Sequence, residues 1–204
     1  MSEYIEVCAY SPQDEKISII KSYLQKGAVI AYPTDTGYAL GCKMGLKKPL
    51  DKIKEIRNLD DKHHFTLIFE NLNEISKYAN IDNRTYRILK RCTPGAYTFI
   101  LDGTKKISSL MSQKTKKTIG IRISEHPVSI ILNKIMEEPI ISTTLILPDS
   151  NDVLYDAEDV SSAISDQVDC IIDCGYSGYG PTTVIDLSEG ASKVIREGIA
   201  PNIF

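Results

Sequence analysis

Thr34, Asp35 and Thr36 follow directly on an apolar run that ends in Tyr32 and Pro33, and a glycine comes next. A turn between strands carries Gly, Asn or Asp for backbone reasons alone. Here, however, two hydroxyls flank a carboxylate just beyond a core strand, an arrangement suited to a ligand. A second set lies in "KTIGIRI", where strand alternation puts Ile119, Ile121 and Ile123 on one face and Thr118, Gly120 and Arg122 on the other. A hydroxyl and a guanidinium on either side of a residue with no side chain make a floor. A planar or anionic group can lie against its backbone and pair bidentately with Arg122. The alternative from spacing alone is a solvated strand face. Two further stretches bring hydroxyls to strand ends: "PIISTTLILP" with Ser142, Thr143 and Thr144, and "YSGYGPTTVIDL" with Thr182 and Thr183. Threonine is common in strands without any role, so each alone is weak, and three in one chain weaken that plain explanation.

These residues need a framework of strands to hold them. Apolar runs predict strands over 28–32, 65–69, 97–101, 118–123, 139–143, 169–173 and 183–187, and helical periodicity falls over 50–57, 72–78, 84–92, 127–136 and 157–164. "SPQDEKISIIKSYLQKG" predicts a further helix with Ser11 as N-cap, Pro12 at its first position and Gly27 to stop it. Strands interleaved with helices imply an α/β fold around one twisted sheet of mixed direction with flanking helices. Ligands of such sheets bind where strands end and loops begin.

Composition sets the bounds. The chain has 204 residues, 42% of them hydrophobic, and no linker, repeat or low-complexity run, so a single domain over 1–204 is expected. No apolar run approaches the roughly 18 residues of a membrane span, and "MSEYIEVCAYSPQDE" lacks the layout of a signal peptide; a cytoplasmic protein with no membrane partner is expected. Five cysteines, an odd number, are expected to be reduced thiols, and Cys170 with Cys174 matches no zinc pattern. A net charge of -3 gives no global argument for a polyanion partner.

"AYPTDTGYALGC", "PGAYTFIL", "TIGIRISEHPV", "PIISTTL", "PTTVIDL" and "IREG" occur in an order and spacing that resemble the YrdC/YciO family, from about Gly27 to Gly198. With "HFTLIF", the wording is most similar to the YciO branch. The better-known branch of this family makes L-threonylcarbamoyladenylate from L-threonine, bicarbonate and ATP, for the threonylcarbamoyladenosine modification of tRNA. By that resemblance the sheet carries a concave polar cavity, Thr34, Thr36 and Tyr38 line an amino-acid pocket, Thr118 and Arg122 contact nucleotide and threonine carboxylate, Thr143 and Thr144 approach phosphate, and Thr182 and Arg196 close the site. Arg57, Lys62, Arg122 and Arg196 are the cations it implies, with magnesium bridging the ATP phosphates and no protein metal ligand assigned. Arg57, Arg122 and Thr144 occupy the positions it marks as catalytic; Thr34, Thr36, Tyr38, Lys62, Thr118, Thr143, Thr182 and Arg196 occupy binding positions.

Two departures from the synthase pattern bear on activity. Where that branch carries a Lys-x-Arg pair this chain has Arg57 and Leu59, and where it carries Ser-x-Asn the chain has Thr144 and Ile146. Leucine for arginine deletes a bidentate phosphate partner. A lysine-rich stretch with Lys105, Lys106, Lys114, Lys116 and Lys117 and no acidic residue is a solvated segment, a flap over an anionic ligand, or a contact with RNA backbone. His63, His64 and His126 form no triad, and His126 is expected to orient the turn before Pro127. The functions consistent with these residues are an enzyme that forms or processes a threonylcarbamoyl adenylate, a nucleotide- or double-stranded-RNA-binding module without turnover, and a hydrolase or deacylase of a threonylcarbamoyl compound.

Overall fold

In the computed structural model, which describes residues 2–60, 63–110, 118–148, 150, 152–188, 190 and 192–204, the chain forms one mixed sheet flanked by helices. The strands are β1 (Glu3–Glu6), β2 (Ile30–Thr34), β3 (Gly37–Lys43), β4 (Thr66–Ile68), β5 (Tyr97–Asp102), β6 (Thr118–Arg122), β7 (Ile140–Thr144), β8 (Cys170–Asp173), β9 (Thr183–Asp186) and β10 (Lys193–Arg196). Their order across the sheet is β1-β8-β2-β3-β7-β4-β6-β5-β9-β10. The helices are α1 (Asp14–Gln25), α2 (Lys47–Arg57), α3 (Asn83–Cys92), α4 (Lys105–Leu110), α5 (Pro127–Met136) and α6 (Ala157–Ile164), with a 3-10 turn at Leu72–Lys77. No helix among the described residues is long and apolar enough to cross a membrane, and all five cysteines are free thiols.

The seven strands expected from apolar runs are all present. The three missed were β1, β3 and β10. The outer two are four-residue edge strands dominated by charged and exposed side chains, which carry no hydrophobic signal. β3, "GYALGCK", is buried on both faces and so does not alternate. It pairs antiparallel with β2 in a hairpin, with Thr34 opposite Gly37. Asp35 and Thr36 therefore form the turn, and Gly37 at φ 106 supplies the left-handed position. α1 corrects another expectation. Its first residue is Asp14, because Ser11 is spent in a turn, its amide donating to the Cys8 carbonyl (3.3 Å). Gln13 is the N-cap and makes no side-chain cap, while Asp14 and Glu15 offset the positive end of the helix.

The two faces of the sheet are covered unequally. One face is buried along its length: Leu40, Leu67, Ile121, Phe99 and Ile185 from successive strands join Leu50 and Ile53 of α2, Leu89 of α3 and Val160 of α6 in the large core. On the other face a smaller core packs Ile20 and Leu24 of α1 and Val128 and Leu132 of α5 against Ile30, Tyr32, Ala39, Ile140 and Ile172. That layer covers β8, β2, β3 and the start of β7, and contains no residue of β4, β6, β5 or β9.

Candidate functional site

Where the α1 and α5 layer stops, the pleat presents threonines together with Ile100 and Val184. Residues opposite one another on paired strands share a face, so the registers dictate which side chains meet. Thr66 of β4 and Ile100 of β5 both stand opposite Gly120, Ile68 stands opposite Arg122, Thr98 stands opposite Val184, and Ser142 stands opposite Thr66. This surface floors a cleft of about 340 Å³ lined by Thr66, Thr98, Gly120, Thr143, Thr144, Thr182 and Arg196, with His63 and His64 at its wall. A small recess of about 30 Å³ continues it toward Thr34, Ser142 and Arg122, sharing Thr66, Thr98, Thr143, Thr144 and Thr182.

Arg196 reaches the cleft through an irregularity. Lys193 pairs with Asp186 and Val194 with Ile185, but Arg196, not Ile195, stands opposite Val184. The bulge shifts the alternation by one and turns a guanidinium, instead of an isoleucine, onto the Val184 face. There Arg196 donates through Nε and Nη2 to the Thr182 carbonyl (3.1 and 2.9 Å) and through Nη2 to Thr182 Oγ1 (2.9 Å). Thr182 Oγ1 also accepts from Thr98 (3.1 Å). Burial, and after it the charge of Arg122, lowers the pKa of Arg196 below that of a free guanidinium. Two cations thus approach one polar floor, a potential that suits an anion.

Arg122 is held differently from a solvated strand-face arginine. Its side chain is 6% exposed and its Nη2 donates to Asp35 Oδ1 at 2.7 Å, the carboxylate itself being 16% exposed. Ser124 also donates to Asp35 Oδ1. The carboxylate of the hairpin turn thus holds the guanidinium, 87 residues further along, from behind. This pair rules out the alternative of a solvated strand face for Arg122. Arg122 Nε and Asp35 Oδ2 are buried without a hydrogen-bond partner. Gly120 lines the cleft, and its missing side chain also makes room for a neighbour: a Cβ there would lie 2.6 Å from Thr66 Oγ1 and 3.1 Å from the Phe65 carbonyl. The glycine admits Thr66 of the next strand.

The other expected site residues distribute as follows. Thr34 Oγ1 donates to the Gly37 carbonyl (2.6 Å) and lies 3.2 Å from Thr36 Oγ1, so both hydroxyls are engaged in the hairpin turn. Tyr38 borders the recess, but its ring belongs to the large core and its hydroxyl donates to the Gly175 carbonyl (3.2 Å); burial raises its pKa. Thr143 and Thr144 line the cleft, with Thr143 Oγ1 3.0 Å from His63 Nε2. Thr118 lies at the edge of the floor, 3.4 Å from His64 Nδ1, and outside the residues lining either cavity. Arg57 lines neither cavity; its guanidinium donates to the Ile146 carbonyl, and burial lowers its pKa. Leu59 packs on the large core. Lys62, Lys114, Lys116 and Lys117 lie outside the described residues. Lys106 stands over the Tyr78 ring, 4.5 Å from its centroid, and Lys105 is exposed.

Thr66, Thr98, His63 and His64 were missed. The first two were findable: in "HFTLIF" and "YTFILD" the apolar neighbours Phe65, Leu67, Tyr97, Phe99 and Leu101 go to the large core, which puts Thr66 and Thr98 on the other face. The histidines precede β4 and have no periodic signal. As for a metal, no three His, Cys, Asp or Glu side chains converge among the described residues, and Asp35 is committed to Arg122 and Ser124. The described side chains do not fit a resident magnesium ion.

The Gly-rich loop after β8 closes one wall by backbone contact. Ser177 Oγ donates to the Thr34 carbonyl (2.8 Å) and Ser177 N to the Tyr155 carbonyl (2.8 Å). His126 is the N-cap of α5, Nδ1 accepting from Val128 N at 3.2 Å. Accepting requires a neutral ring nitrogen, and burial lowers the His126 pKa from 6.5. Between the lowered value and 6.5 the unfolded chain binds more protons than the folded one, so the contribution of His126 is complete above pH 6.5 and is lost as pH falls. His126→Asn retains a capping acceptor without a titrating group. Urea midpoints measured from pH 8 down to 5 are expected to fall more for the native chain than for this variant; parallel curves would contradict the assignment.

A family model described as "Telomere recombination" and covering the Sua5, YciO and YrdC proteins matches residues 22–198. The chain is 43% identical over 199 residues to the uncharacterized protein YciO of Escherichia coli K12, covering 98% of this chain and 97% of that one. The crystal structure of E. coli YciO superposes with a TM-score of 0.93 over 98% of both chains. More distantly, the threonylcarbamoyl-AMP synthase of Pseudoalteromonas translucida is 28% identical over 179 residues, 85% of this chain and 92% of that one. The structure of Pyrococcus abyssi Sua5 complexed with L-threonine has the same fold: TM-score 0.87 at 23% identity, over 97% of this chain and 58% of that one.

Proposed function

The chain belongs to the Sua5/YciO/YrdC family, and from that premise we propose that its cleft binds ATP and L-threonine and forms L-threonylcarbamoyl-AMP slowly. The observation that supports this most is the approach of Arg122, Arg196 and a bed of threonine hydroxyls to one another on a part of the sheet against which, among the described residues, the α1 and α5 layer does not pack. L-Threonine is the ligand of the related Sua5 structure. In the reaction the threonine amine and bicarbonate condense to a carbamate with loss of water. A carbamate oxygen then attacks the α-phosphorus of ATP, and the bond to pyrophosphate breaks. Such a step needs positive charge and fixed donors around the phosphates more than a strong base. Arg122, steadied by Asp35, and Arg196, steadied by Thr182, supply the charge without having to reorganise. Magnesium would arrive on the ATP phosphates, and the activated product would feed carbamoyl transfer to tRNA.

Slow turnover follows from Arg57, Leu59 and Ile146. Arg57 is engaged with the carbonyl of Ile146, and Leu59 offers the core a side chain where the synthase branch offers phosphate a guanidinium. Each donor that acts in the transition state contributes about 10² to 10³ in rate, but a new one must fit space shaped around an apolar side chain. Leu59→Arg with Ile146→Asn is therefore expected to raise pyrophosphate release by about tenfold, a partial recovery. The test is pyrophosphate release with ATP, bicarbonate and L-threonine against omission of each. Release dependent on all three is expected. No release with or without the two substitutions would overturn the proposal, and a native rate of about 1 per second or more would overturn the argument from the departures.

A further inference from the structure

At the β1 edge of the sheet, outside the cleft and its recess, lies a groove of about 300 Å³. Val7 and Cys8, just past β1, and Cys174 and Gly175, just past β8, line it together with Gln13 and Lys16 at the start of α1. We propose that Cys8 and Cys174 form a reversible disulfide there, a modification site that joins the N-terminal turn to the loop walling the cleft. The inference does not depend on the reaction assigned to the cleft.

The sheet brings the two residues together. β1 and β8 run parallel with Glu6 opposite Asp173, and the pairing extends one bond further, Val7 N donating to the Asp173 carbonyl (2.7 Å). Cys174 is the first residue beyond that pair on β8, and Cys8 the second on β1. Neighbouring strands lie about 4.8 Å apart, so a stagger of one residue puts the two Cα atoms about 6 Å apart, inside the range of roughly 4.4 to 6.8 Å that a disulfide spans. Alternation alone would send side chains one residue out of step to opposite faces. The chain leaves the sheet first. Cys8 opens a turn in which its carbonyl accepts from Ser11 N (3.3 Å), and this turn lays the Ala9 amide against the Cys174 thiol, with the Cys8 thiol close enough to act on it by charge.

Accessibility separates this pair from the other thiols. Cys42, Cys92 and Cys170 are buried, whereas Cys8 is exposed and Cys174 half-buried. Burial pushes the Cys42 and Cys170 thiols up to about 12, which keeps them from reacting as thiolates. Burial raises the Cys174 thiol as well, while the Ala9 amide opposes the rise; Cys174 is thus suited to the second attack and Cys8 to the first. The Cys8 thiolate attacks one sulfur of a small-molecule disulfide such as oxidised glutathione, whose S–S bond breaks with loss of one thiolate. The Cys174 thiolate then attacks Cys8 Sγ and expels the other. The protein loses two protons and two electrons, and the reagent gains them as two thiols.

The bond grips the loop at its root. Cys174 N donates to Tyr38 Oη (3.5 Å), Tyr38 Oη donates to the Gly175 carbonyl (3.2 Å), and Ser177 holds the Thr34 carbonyl. A disulfide at 174 therefore ties the start of this loop to a turn remote in sequence, and a link between distant residues restricts the unfolded chain most.

The test is incubation of the folded, reduced full chain with oxidised glutathione, then alkylation of the remaining thiols in urea and mass spectrometry of the intact chain and its peptides without reducing agent. A chain that has lost two hydrogens, carries three alkyl groups and yields one linked pair of peptides, containing Cys8 and Cys174, is expected; dithiothreitol should reverse the change. Cys174→Ser should stop at a glutathione adduct on Cys8, and Cys8→Ser should form no link. The oxidised chain should unfold at a higher urea midpoint than the reduced one. Absence of the link, a glutathione adduct that persists on Cys8 of the native chain, a link between two chains, a link through Cys42, Cys92 or Cys170, or a midpoint lowered by oxidation would each overturn the proposal.

Discussion

Arg122→Ala is expected to destabilise the fold by about 3 to 5 kcal/mol, the loss typical when one member of a buried ion pair is removed and the other is stranded. The stranded group is Asp35, whose carboxylate is 16% exposed and, among the described residues, retains the Ser124 hydroxyl as its one side-chain donor. The same substitution removes a cation from the recess, so binding and stability fall together and must be separated. A paired replacement does this. Asp35→Leu with Arg122→Met leaves no orphaned charge and is expected to be markedly more stable than Arg122→Ala while still failing to bind ATP or L-threonine. Urea denaturation of native, single and double variants measures the first effect, and calorimetric titration the second. A loss below about 1 kcal/mol in the single variant would mean that the pair behaves as a solvated surface bridge.

Gly178→Ala is expected to cost about 2 to 5 kcal/mol, from a left-handed backbone penalty of about 1 to 2 and a steric penalty of about 1 to 3. Gly178 has φ 88, and a Cβ on it would fall 2.0 Å from Gly37 N and 2.5 Å from the Thr36 carbonyl carbon. Those are backbone atoms of the turn that carries Asp35, and they cannot swing aside as a side chain could. The loop after β8 must lift, breaking the Ser177 hydrogen bond to the Thr34 carbonyl. Thr182, which follows in the same loop, then loses its position beside Arg196. Gly175→Ala is the control, because it shares a positive φ of 72 but a Cβ there meets nothing within 4 Å. Its cost should be limited to the backbone penalty. Equal losses in the two variants would show that contact with the Thr36–Gly37 backbone is not what demands glycine at 178.

Much of this protein was determined by its sequence. Apolar runs of five or six residues between helical segments sufficed to locate seven strands, because burial on a sheet selects β-branched and aromatic side chains whatever the partner strand is. The alternation in "KTIGIRI" assigned Ile119 and Ile121 to the core and Gly120 and Arg122 to the other face, which is where they lie. "PIISTT" and "PTTVIDL" put the hydroxyls of Thr143, Thr144 and Thr182 at strand ends, and there all three line the cleft. These are properties of a single strand, and the pleat has only one period.

What only the tertiary structure decided involves two strands or more. The attachment of Arg122 to Asp35 spans 87 residues, and nothing local in either segment specifies it. Gly120 lies in the cleft floor, but that Thr66 shares the space its missing side chain leaves follows from the parallel register, and register is a relation between strands. Arg196 faces the cleft because a one-residue irregularity against β9 exchanges it with Ile195. Without that shift the same four residues, Lys193–Arg196, would present the isoleucine. Which part of the face stays open was decided by how far α1 and α5 extend over it. A segment's own residues determine its periodicity and its faces, whereas the site depends on contacts that exist only after the sheet has closed.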